Sequence, residues 1–176
     1  MMFDTLSSGS GSDAVKTYQT YFDFAKTIGN KLADKTVFTG NIDHFGYGGL
    51  GDHEKYPTLS LTDFNSIPMP VDKDSDDIDL ELKDVDASLK NATWVPPVED
   101  KTCLVFISAA AEDAYGGTSI GTDYPSFGTV VGALVGDAKS IPGLENVVAA
   151  SSLTDDAANA VVELILKNLP STISEL

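Results

Sequence analysis

Two stretches of helical periodicity stand at opposite ends of this chain, and the region between them is cut into short apolar runs by Gly, Pro, Asn and Asp. From Asp13 to about Asp34, Ala14, Val15, Tyr18, Tyr21, Phe22, Ala25, Ile28 and Leu32 recur at spacings of three and four, so they share one helical face. Ser12 is placed to cap it. Toward the C-terminus Thr154 stands at a capping position, Asp155 and Asp156 occupy the first turn, Lys167 the last, and Pro170 stops the helix. Its apolar content is broad, with Val161, Val162, Leu164, Ile165, Leu166 and Leu169, which predicts deep burial.

The runs between these helices predict strands at about 36–42, 57–64, 77–86, 89–95, 102–111, 127–136 and 145–150. The apolar run 127–136 lies between Pro125 and Asp137 and reads as a buried central strand. Seven strands with no interleaved helix predict an α+β fold, a mainly antiparallel β-sandwich or rolled sheet with an N-terminal and a C-terminal amphipathic helix packed on one side or end. A length of 176 residues suits one core. The reading is therefore a single globular domain over 13–176, preceded by residues 1–12, MMFDTLSSGSGS, as a flexible Ser/Gly arm or a cloning remnant.

Charge narrows the partners. The formal net charge is −16, and all 11 basic residues are lysines. Without arginine the chain lacks the side chain best shaped for bidentate phosphate recognition, and its overall field repels a phosphate backbone. Nucleic acid is excluded on this ground, and the same field disfavours nucleotides and anionic membranes while favouring divalent cations and neutral or basic partners, such as a protein or a carbohydrate. No transmembrane stretch or cleavable signal peptide is evident, because no apolar run approaches the ~18 residues a span requires. An extracellular or particle-surface setting is favoured over the cytoplasm. Cys103, the only cysteine, lies in an apolar run and reads as an inert buried thiol.

Three segments concentrate groups able to carry chemistry. In Asp43-His44-Phe45-Gly46-Tyr47-Gly48-Gly49-Leu50-Gly51-Asp52-His53-Glu54 the chain's only two histidines flank a glycine-rich loop, each preceded by an aspartate. Imidazole and carboxylate are zinc ligands, so His44, His53, Asp43, Asp52 and Glu54 form one candidate metal set, although their spacing matches no standard motif. The second segment is the acidic stretch opening with Asp72, Asp74 and Asp76, which begins like a calcium loop. It departs from one at Asp77, where a glycine belongs, and at Lys83, where a bidentate glutamate belongs. The third is the loop 112–126, whose Glu112, Asp113 and Asp123 join Asp72, Asp74, Asp76 and Asp77 as candidate calcium ligands.

Tyr47-Gly48-Gly49 precedes Tyr56-Pro57 at the same interval that separates Tyr115-Gly116-Gly117 from Tyr124-Pro125. With Val37-Phe38 and Val105-Phe106 in matching register upstream, this suggests an internal pseudo-repeat over about 36–64 and 104–132. No catalytic serine elbow is present, and the reading leans away from an enzyme. The leading expectation is a non-catalytic binding or structural module that takes calcium on its acidic loops. One alternative is a zinc-type hydrolase using His44 and His53, in which a carboxylate acts as base on metal-bound water. Another is a membrane-interacting protein that uses the N-terminal amphipathic helix.

Overall fold

The computed structural model describes residues 1–4, 12–45, 59–68, 82–91, 103–125 and 127–169. Its centre is a five-stranded sheet built from β1 (Met2–Asp4), β3 (Asp43–Phe45), β5 (Cys103–Ser108), β6 (Thr129–Leu134) and β7 (Val147–Ala149). The order across the sheet is β3-β1-β5-β6-β7, and every neighbouring pair is parallel. Counted along the chain, that is the 2-1-3-4-5 arrangement common to doubly wound sheets. A separate antiparallel ribbon pairs β2 (Thr39–Gly40) with β4 (Leu59–Ser60).

Parallel strands need long crossovers, and helices cover both faces of the sheet here. On one face α1 (Ser12–Ala33) and α4 (Asp155–Asn168) pack together over the sheet. Phe22, Phe24, Ala25 and Ile28 of α1 and Ala158, Val161, Val162 and Ile165 of α4 share a core with Val105, Ile107, Val131 and Ala133. Lys31 in the last turn of α1 reaches Asp155 in the first turn of α4 at 3.2 Å. The opposite face is covered by α3 (Leu82–Asn91), whose Leu82, Val85 and Leu89 meet Leu104, Phe106, Val130 and Leu134. Residues alternate between these two cores along β5 and β6, which explains why both strands read as continuous apolar runs. A short helix, α2 (Leu61–Asn65), buries Phe64 edge-on against Phe38 at 5.0 Å between ring centres.

The expected antiparallel sandwich is thus corrected to a parallel sheet between helices. Both terminal helices lie where their periodicity put them, and Thr154 caps α4 by accepting the Ala157 N–H at 3.3 Å. Strands also occur inside the runs 102–111, 127–136 and 145–150. Of the expected strands at 77–86 and 89–95, the part from 82 to 91 is instead the helix α3, because Leu82, Val85 and Leu89 follow a helical period; residues 77–81 and 92–95 lie outside the described residues. The second half of the expected strand 57–64 is α2, capped by Ser60 accepting the Asp63 N–H. Residues 2–4 are not an arm: they form β1, paired with β3 on one side and β5 on the other.

Candidate functional site

In a parallel sheet all strands point one way, so their carboxyl ends form one edge of the molecule. Here that edge carries Asp4, Phe45, Ser108 and Leu134 at the ends of β1, β3, β5 and β6. The chain leaving β1 returns as β3 on one side, whereas the chain leaving β5 returns as β6 on the other. The two connections diverge above the adjacent strands β1 and β5. This reversal is the topological switch point, where doubly wound sheets open a crevice for a ligand.

The β5 side of the switch point is firmly built. The Ser108 and Tyr115 hydroxyls share a hydrogen bond, and Ser108 Oγ also accepts the Ala110 N–H at 3.1 Å; both side chains are fully buried. Glu112–Tyr115 forms a 3₁₀ turn that ends at Gly116 in the left-handed region. Thr118 Oγ1 then donates to the Tyr115 carbonyl at 2.6 Å and accepts the Leu82 N–H at 2.7 Å, so the loop caps α3. Further on, Asp86 Oδ1 accepts from the Gly121 N–H and the Tyr124 hydroxyl, both at 2.8 Å, while Lys90 holds Oδ2 at 2.6 Å. Ile120 N–H donates to the Pro142 carbonyl at 2.9 Å. A loop of this length with these anchors is an ordered wall.

Electrostatics follow the same contacts. Burial opposes the charge on Asp86, but hydrogen bonds from Lys90, Tyr124 and Gly121 outweigh it and hold the carboxyl below the ordinary aspartate value. The Tyr124 hydroxyl is raised by burial and then by the Asp86 carboxylate. At the opposite, amino edge, burial lowers the Met1 amino group to about 6 and pushes the Cys103 thiol up to about 12; each is opposed by nearby charge, Cys103 and Asp43 acting on Met1 and the amino group acting on Cys103.

The residues singled out from the sequence do not gather at one place. Asp43 is buried at the start of β3, on the amino edge, where its N–H donates to the Met1 carbonyl at 2.8 Å, and His44 follows it in the strand. Asp52, His53, Glu54, Asp72, Asp74, Asp76 and Asp77 lie outside the described residues. Glu112 and Asp113 sit in the 3₁₀ turn beyond the carboxyl edge and are exposed, as is Asp123; Ser140 donates to Glu112 at 3.2 Å. Among the described residues no group of three or more His, Cys, Asp or Glu side chains is arranged to hold a metal ion, which corrects the metal-binding expectation for that part of the chain. The loop 112–126 instead spends Thr118 on capping α3. Val37-Phe38 precedes β2 while Val105-Phe106 lies within β5, and residues 46–58 of the first repeat unit lie outside the described residues.

No helix among the described residues is long and apolar enough to cross a membrane. The apolar face of α1 is packed into the core from Tyr21 to Leu32. The switch point itself escaped the sequence reading, because its first strand is only three residues long and runs into a Ser/Gly-rich segment. The available signal was a short apolar start, then glycines, then a helical period. Comparisons with family models, curated proteins and solved structures find no match for this chain.

Proposed function

We propose that the chain is a small-molecule-binding module whose ligand sits at the carboxyl edge, between the ends of β1 and β5, and that this ligand is a phosphate monoester carried on a flat heterocycle. The observation that supports this reading is the strand order β3-β1-β5-β6-β7, with its reversal between β1 and β5. Sheets of this order take their ligands at that point, and flavin mononucleotide is the type case, a fold-level analogy that gives the first probe.

The donor chemistry of the sequence fits. Residues 5–11, which leave the carboxyl end of β1, are Thr-Leu-Ser-Ser-Gly-Ser-Gly, and no carboxylate occurs between Asp4 and Asp13. Hydroxyls and glycine backbone N–H groups are the neutral donors that phosphate oxygens need, and this stretch offers them in an otherwise strongly acidic chain. The repulsive field of the whole molecule, which argued against nucleotides, is screened over a Debye length of about 8–10 Å, so local donors decide binding at contact. Phosphate recognition by neutral donors also needs no arginine.

The test is titration of the purified protein with flavin mononucleotide, followed by quenching of flavin fluorescence and by thermal unfolding. Riboflavin and inorganic phosphate serve as separate arms. The expected result is saturable binding of the mononucleotide, weaker binding of riboflavin, and stabilisation of about 2.7 kcal/mol at a hundredfold excess over Kd. Riboflavin binding equally well would remove the phosphate from the proposal. Absence of binding in all three arms would overturn it.

A further inference from the structure

We draw no further inference here: the strongest candidate, the cluster of the Met1 amino group, Asp43 and Cys103 at the amino edge of the sheet, rests only on the altered proton affinities of the amino group and the thiol, and its contacts among the described residues are those that seat β1 between β3 and β5.

Discussion

The Tyr124 hydroxyl donates to Asp86 Oδ1 at 2.8 Å, and this single carboxylate also takes the Gly121 N–H and the Lys90 ammonium. One side chain on α3 thereby fixes the far half of the loop that follows β5. Truncation in Asp86→Ala leaves a tyrosine hydroxyl and a backbone N–H without their acceptor, and is expected to cost about 2 kcal/mol in chemical denaturation with an unchanged slope. The folded protein holds this carboxyl below its unfolded value, so the stabilisation is present above the ordinary aspartate value of about 3.9 and is lost as pH falls through the folded value. The gap between the parent and Asp86→Asn should therefore narrow in acid, below about pH 4. A constant gap down to the acid limit would show that the charge is not what the loop uses.

Ala87 distinguishes a helix from the solvent-facing strand that the acidic sequence first suggests. It is exposed in the middle of α3, so Ala87→Pro changes little packing but breaks the helical backbone. The expected loss is about 3 kcal/mol. An exposed edge strand would tolerate the same proline, and a variant with unaltered stability would contradict the helix.

Gly143 has φ +92, and a Cβ built there would lie 1.9 Å from the Ile120 carbonyl oxygen, which is backbone and cannot swing aside. Gly143→Ala is expected to cost roughly 2–4 kcal/mol, because it combines a left-handed residue with a forced separation of 120 from 142. Gly117 provides the control: its φ is +74 but nothing stands within 4 Å of the added carbon. Alanine there should cost only about 1–2 kcal/mol. The ratio of the two losses in denaturant titrations measures how tightly the loop is clamped.

Cys103 should behave as an inert thiol. Burial pushes its pKa up to about 12, against the opposing charge of the Met1 amino group, so little thiolate exists at pH 8. Reaction with a disulfide reagent in native buffer is expected to be roughly a hundredfold slower than in denaturant. Rates within a few-fold of each other would mean that the amino edge of the sheet opens readily.

Much of the fold was legible where one physical signal acted alone. Helical period placed α1, helical period with the Thr154 cap placed α4, and continuous apolar runs placed β5 and β6, because burial on both sheet faces leaves no competing pattern. Strand direction was not legible. It depends on the crossovers, and α3 was hidden by the alternation of Ile78, Leu80 and Leu82, which resembles a half-buried strand until Val85 and Leu89 are counted. β1 was hidden because three residues carry no period and the Ser/Gly segment after them resembles a tail. The candidate site shared that fate: a switch point belongs to strand order, which no local motif encodes. The acidic side chains that drew attention locally, Glu112, Asp113 and Asp123, are exposed, while the loop's hydroxyls at Tyr115, Thr118 and Tyr124 carry its connections.

The placement of β1 between β3 and β5 also has a kinetic meaning. Met2 lies beside Phe106, about a hundred positions later in the chain, and contacts so distant in sequence are slow to form because loop closure must precede any gain from pairing. During synthesis β1 leaves the ribosome long before its neighbour β5 exists. Until residues 103–108 emerge, one of its edges has no strand to receive it, and the nascent chain is expected to depend on delayed collapse or on chaperones.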